Sequence, residues 1–255
     1  MEKNIILAGV GGQGILSIAF VIDNAAMDAG YHFQQAEVHG MAQRGGAVQS
    51  NLRYGDAEIW SDIIPTGKAD MVLSVEPLEA RRYRHFLNPG GWVVTSTTPF
   101  VNIPNYPEED GLLAELARND HIVMVDTAHF ARAAGNRRAQ NLVTVGAASP
   151  MLDFGVDRLL HFVGILFARK GEKIVKVNQR AFRFGRAAGL FFRALAETGM
   201  PKLEALKLVG KFDAESIDPS HARAWAEAIE TDNGLLEAVL SEKGTVACDR
   251  ATAMA

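Results

Sequence analysis

The stretch Glu37-Val38-His39-Gly40-Met41-Ala42-Gln43-Arg44-Gly45-Gly46 packs an acid, an imidazole, an amide, a guanidinium and three glycines into ten residues. No amphipathic period explains that inventory. Arg44 beside Gly45 and Gly46 suits capture of a phosphate or carboxylate, by guanidinium and bare backbone N–H together. His39 and Gln43 offer polar contact to a substrate or cofactor, and His39 is the one candidate for a catalytic group. A plainer reading stays open: Glu37 and His39 satisfy each other or bond to backbone, and Arg44 pairs with a partner chain.

A second constellation precedes it. Gly9, Gly11 and Gly14 fit G-x-G-x-x-G, with Gly12 and Gln13 at the middle positions. Glycine lets the chain turn sharply and lets backbone approach a ligand closely. A helix starting after Gly14 aims free N–H groups and the positive end of its dipole at an anion. Glu37 follows Gly14 by 23 residues, where a dinucleotide site places its ribose acid. Alone, this pattern points to NAD or FAD. Against it stand Gly12, Gln13 and the polar Gln34-Gln35 pair, unusual in a central parallel strand. The alternative is that the glycines only permit close packing of helix on strand.

The elements that position these residues read as a doubly wound α/β fold. Residues 4–8 form a compact apolar strand, residues 15–29 an almost wholly apolar helix closed by Gly30, and residues 31–36 a second strand. Residues 48–54 alternate apolar and polar, which predicts a half-buried strand, with residues 57–64 returning antiparallel after a Gly55-Asp56 turn. Further strands are expected at 71–75, 92–96 and 122–126, and helices at 77–87, 111–118, about 150–169 and 178–198. Residues 171–177 suit a short strand or loop. Beyond Gly199-Met200-Pro201, residues 202–209 and 222–240 are helical, and the last fifteen residues read as a frayed end. The expected fold is thus a Rossmann-like open sheet, mostly parallel with one antiparallel hairpin. Residues 1–198 form the α/β domain and 199–255 a helical extension and tail.

Composition removes several functions. Lys and Arg total 26 against 30 Asp and Glu, a net charge of −4, so no basic excess serves a nucleic-acid backbone. Cys248 is the one cysteine; it allows no internal disulfide and no four-thiolate cluster. No His, Cys, Asp or Glu spacing suggests a metal site, and no apolar run approaches the ~20 residues that span a bilayer. A soluble, cytoplasmic protein is expected. Asp126 and His129 sit after a strand, near the expected cleft edge, with a structural role favoured. Arg180, Arg183, Arg186 and Arg193 can share one side of a helix, and Phe182, Phe184, Phe191 and Phe192 suit a core.

The two motifs in this order, Gly9 to Ile15 and then Glu37 to Gly46, resemble the gamma-type domain of 2-oxoacid:ferredoxin oxidoreductases over roughly residues 1–195. The form Glu-Val-His-Gly-Met-x-Gln-Arg-Gly-Gly looks most like the small (beta) subunits of indolepyruvate:ferredoxin oxidoreductases within that superfamily. The resemblance implies a non-catalytic partner, inactive alone: a large subunit holds thiamine diphosphate, Mg2+ and [4Fe-4S] clusters. That enzyme oxidatively decarboxylates an aryl pyruvate to the aryl-acetyl-CoA and passes electrons to ferredoxin, as a heterodimer or heterotetramer. The gamma domain would cover the active site and help bind CoA, with Gly9, Gly11, Gly12, Gln13, Gly14, Glu37, His39, Gln43, Arg44, Gly45 and Gly46 as candidates and no metal of its own. Alternatives are a gamma subunit for another 2-oxoacid such as phenylglyoxylate or pyruvate, a free-standing NAD or FAD dehydrogenase, and a pure assembly subunit.

Overall fold

The computed structural model describes residues 1–39, 45–232 and 234–250, without the side chains of Val38, His39 and Arg250. Strands are β1 (Glu2–Val10), β2 (His32–His39), β3 (Ala47–Gly55), β4 (Ala69–Ser74), β5 (Leu87–Ser96) and β6 (Ile122–Val125). They form one sheet in the order β2-β3-β1-β4-β5-β6. The β1–β4, β4–β5 and β5–β6 pairings are parallel, while β3 runs antiparallel between β1 and β2.

The antiparallel hairpin is therefore β2–β3, and the second motif is its connection. Residues 57–64 are not the returning strand. Arg53 Nη1 donates to the carbonyls of Ser61 (2.6 Å) and Ile63 (3.3 Å), and Asn51 Oδ1 accepts the Ile64 N–H (3.2 Å), which holds this segment as a loop. The polarity of β2 has a simple cause. It is an edge strand, bonded only to β3, with His32, Phe33 and Gln34 exposed.

Helices α1 (Ile15–Asp28), α2 (Pro77–Tyr83), α3 (Glu109–Ala117), α4 (Thr127–Ala133) and α5 (Gln140–Ala148) are followed by α6 (Val156–Phe167) and α7 (Glu172–Glu197). The strand period of two sorts the sheet's residues between faces. Ile5, Leu7, Met71 and Leu73 join the main core with residues of α1, α5 and α7. Ile6 and Val72 join a smaller cluster on the other side with Ile64 and Ala69. Helices α4 and α5 are additions to the sequence reading. The helix expected from about 150 begins at Val156, after a tight turn at Ser149–Met151, and the expected strand or loop at 171–177 is the start of α7. α5 and α7 touch backbone to backbone: a Cβ on Gly146 would lie 2.0 Å from the Phe182 carbonyl oxygen, and one on Gly185 1.9 Å from that of Val143.

The extension contains α8 (Lys202–Lys211), α9 (Ala222–Thr231) and α10 (Leu235–Ser241), so the single helix expected over 222–240 is broken at Asp232 and Gly234. It shares the main core. The Phe212 ring stands 5.1 Å from both Phe191 of α7 and Trp225 of α9. The chain end is pinned as far as Cys248, which the expectation of fraying missed. Val246 N–H bonds to the Lys211 carbonyl (2.9 Å), Trp225 Nε1 donates to the Cys248 carbonyl (2.6 Å), and Cys248 is buried.

Candidate functional site

The glycine turn stands at the carboxyl end of β1, beside β4. In an open α/β sheet this crevice, where connections leave in opposite directions, is where ligands bind. Gln13 ties the two strands together. Its Oε1 accepts the Val10 N–H (2.7 Å) and its Nε2 donates to the Val75 carbonyl (3.4 Å). Its amide thus braces the turn from within. Gly9 and Gly14 are packed: a Cβ would meet Val75 Cγ2 at 2.5 Å and Asn141 Nδ2 at 2.6 Å respectively. Gly12 is different. It is exposed, its φ is +103°, and an added Cβ meets nothing within 4 Å. Its N–H has no backbone acceptor among the described residues. Helix α1 begins just beyond, with Gly14 as N-cap, no side-chain cap and no acid in its first turn. Nothing on α1 itself neutralises the positive end of its dipole, which suits an anion.

The stem of the second motif is sewn to this turn. Gly11 N–H donates to the Gly46 carbonyl (2.8 Å) and Gly45 N–H to the Gly11 carbonyl (3.3 Å). Two motifs separated in sequence thus meet as one structure. Gln43 and Arg44 lie outside the described residues, as does the side chain of His39. The backbone of His39 is placed: it pairs with Val48, which pairs with Gly9 on its other side. Glu37 is placed less favourably for a ribose. It is level with Ser50 and Leu7, and β3 separates it from β1, roughly two strand spacings or ~10 Å away. A dinucleotide fold brings that acid to the strand adjacent to β1, so the geometry disfavours NAD or FAD.

Several residues of this edge gave no sequence signal, because only tertiary contacts reveal them. Glu76, 1% exposed, follows β4. It accepts the N–H of Glu79 (2.8 Å) and of Phe100 (3.3 Å) and the hydroxyl of Tyr106, whose ionisation is pushed up by burial and by this carboxylate. Asn102 Nδ2 donates to the Gly45 carbonyl (2.7 Å). Leu16, Phe100 and Val101 are exposed apolar side chains on the same edge. Asp126 caps α4 through the His129 N–H (2.9 Å), and the His129 ring lies 3.2 Å from the Phe212 carbonyl, so both are structural.

The four arginines of α7 do not act together. Arg180 pairs with Glu215, Arg186 donates to Ser149 (2.8 Å), and Arg193 lies over the Trp92 ring at 4.9 Å. Phe182, Phe184, Phe191 and Phe192 are core, as expected. A cleft of about 840 Å³ lies far from the turn in sequence, lined by Glu197, Glu204 and Glu230 with Met200 and Ile229. Volume alone does not mark a site, and no residue of either motif lines this cleft. Among the described residues, no group of three or more His, Cys, Asp or Glu side chains could hold a metal ion, and no helix is long and apolar enough to cross a membrane.

Residues 4–188 match the family model of pyruvate ferredoxin/flavodoxin oxidoreductase. The indolepyruvate oxidoreductase subunit IorB of Pyrococcus horikoshii is 38% identical over 192 residues, which span 72% of this chain and 94% of that protein. The fold matches the gamma subunit of a keto/oxoacid ferredoxin oxidoreductase from Geobacter sulfurreducens, with TM-score 0.57 and 21% identity over 74% of this chain and 98% of that one. It also matches the 2-oxoglutarate:ferredoxin oxidoreductase of Magnetococcus marinus, solved with 2-oxoglutarate, coenzyme A and succinyl-CoA bound. There the TM-score is 0.59 at 20% identity, over 74% of this chain and 31% of that one.

Proposed function

The chain belongs to the pyruvate ferredoxin/flavodoxin oxidoreductase family, and from that premise we propose that it is the small subunit of an indolepyruvate-type 2-oxoacid oxidoreductase. The carrying observation is the union of the two motifs: Gly11 and Gly45–Gly46 bonded to each other beside an uncapped helix N-terminus. That arrangement presents the bare N–H of Gly12 and the dipole of α1, which suit the phosphates of CoA, as does the guanidinium of Arg44, next in sequence to Gly45.

In this reading the chain covers the active site of a large subunit and holds CoA for the transfer step. Exposed Leu16, Phe100 and Val101 give that edge apolar surface to bury against the partner. Thiamine diphosphate and iron–sulfur clusters, when bound, supply the decarboxylation and the electron path. The clusters do not fit here, since a four-thiolate cluster needs four cysteines and the chain has one, which is buried. They belong to the partner, and ferredoxin takes the electrons. The residues of this chain bind and orient CoA and exclude water from the shared cleft.

The test is a tagged pull-down of the chain from its own cells under anaerobic conditions, with the eluate assayed for indolepyruvate- and CoA-dependent dye reduction. A brown complex with a large cysteine-rich subunit and that activity is expected. A colourless chain recovered alone sinks the proposal.

A further inference from the structure

We propose that Glu76 and Asn102 are positioning residues that fix the second motif against the glycine turn and thereby set the affinity for CoA. The inference rests on the reading of this edge as a CoA site and adds to it two residues outside both motifs.

The argument starts from a buried carboxylate. Glu76 is 1% exposed and has no ion-pair partner among the described residues. Burying a carboxylate costs free energy unless donors satisfy it. Three do: the Glu79 N–H, the Phe100 N–H and the Tyr106 hydroxyl. The first caps α2. The other two belong to residues 97–108, which contain no helix or strand. A loop of this length in a compact domain is generally functional. Glu76 fastens it near its start and near its end.

Between those anchors lies Asn102. Its Nδ2 donates to the Gly45 carbonyl at 2.7 Å, Gly45 N–H donates to the Gly11 carbonyl at 3.3 Å, and Gly11 N–H donates to the Gly46 carbonyl at 2.8 Å. A continuous path of contacts therefore runs from the buried carboxylate, through the loop, to the turn. Gly45 and Gly46 have no side chains with which to hold themselves in place. An outside donor must do so, and Asn102 is one. Because Glu76 anchors the loop independently, losing the Asn102 amide should move the motif stem without loosening the fold.

The experiment uses the assembled complex carrying Asn102→Asp, which keeps the shape and replaces the donor by an acceptor facing a carbonyl. Tyr106→Phe removes only one hydroxyl from Glu76, and Arg44→Ala serves as the companion variant. For Asn102→Asp, KM for CoA should rise roughly five- to tenfold, the scale of one hydrogen bond. kcat at saturating CoA, KM for the 2-oxoacid and Tm should hold, and hydrogen exchange at the Gly11 and Gly45 amides should quicken. Tyr106→Phe should shift KM for CoA the same way by less. Faster exchange with an unchanged KM for CoA overturns the proposal, since the contact would then be structural only. A rise with Arg44→Ala but not with Asn102→Asp overturns it while leaving the CoA site standing. No response from either variant removes the CoA reading of this edge as well.

Discussion

Glycines gather in two parts of this molecule, at the carboxyl end of β1 and along the contact of α5 with α7, and they serve opposite ends. At Gly146 and Gly185 there is no space: a Cβ would fall 2.0 and 1.9 Å from backbone oxygens of the facing helix. At Gly12 there is only space: nothing lies within 4 Å of an added Cβ, and φ is +103°. Gly9 and Gly14 of the turn side with the helix contact, since Val75 and Asn141 would block a side chain. The idea that the turn's glycines merely permit packing therefore holds for two positions and fails at a third. The space around the missing Cβ tells a packing glycine from an open one; it does not by itself mark binding, since Gly199 is as open as Gly12.

The hardest test of this contrast is Gly185→Ala. Helix α5 must move bodily, because the obstacle is the Val143 backbone and not a side chain that can rotate away. The loss should reach the top of the overpacking range, about 3 kcal/mol, or roughly 6–12 °C of Tm. CoA binding by any variant that still assembles should be unaffected. A Gly185→Ala protein melting with the wild type would break the account of the helix contact.

Helix α1 links the two regions, running from the turn into the core, and carries a weakness of its own. Asp23 is buried, its Oδ1 has no hydrogen-bond partner among the described residues, and burial pushes its pKa up from 3.8 to about 7. The sign follows from proton binding. Between about pH 4 and 7 the folded chain holds a proton that the unfolded chain has released. This contribution to stability is therefore greatest at low pH and is lost as pH rises through about 7. Asp23→Asn should stabilise by about 1–3 kcal/mol at pH 8 and give no advantage near pH 4. Glu79, also raised to about 7 chiefly by burial, tilts both proteins the same way, so the difference between the two Tm-against-pH curves is the quantity to read. A gap that does not change with pH would mean Asp23 is not the titrating group.

Legibility in the sequence followed the same division. The apolar runs of β1, β4, β5 and β6 and the helix α1 were readable because strand and helix periods show there directly. α5 was not, since its Gly146-Ala147-Ala148 end carries no amphipathic contrast and is explained only by the facing glycines of α7. The Gly55-Asp56 turn points to the wrong hairpin pair, because the chain between β2 and β3 is longer and carries the second motif. The two motifs stand out by residue type and order, and the structure bonds Gly11 to Gly45 and Gly46. Glu76 and Asn102 could not do so: apart from the local cap of Glu76 on Glu79, their partners lie 24 to 57 residues away and exist only once the sheet has formed. The polarity of Gln34 and Gln35 is a misfit for a central strand, and the structure makes β2 an edge.

The smallest effect is the most discriminating. Gly12→Ala puts a side chain on backbone in the left-handed region, at a cost of roughly 1–2 kcal/mol. Gly199, just past the end of α7, is its control: φ is +96°, it is exposed, and again nothing lies within 4 Å of an added Cβ. The two variants should therefore lose similar stability, about 2–8 °C of Tm each. They should part company in the assembled complex. At Gly199 the methyl group meets solvent, and KM for CoA should not move. At Gly12 it stands beside the exposed N–H and the start of α1, where the phosphate is expected, and KM for CoA should rise by more than the lost stability explains. Equal and negligible changes in both would make Gly12 one more conformational glycine, and the carboxyl end of β1 would lose its distinction from the helix contact.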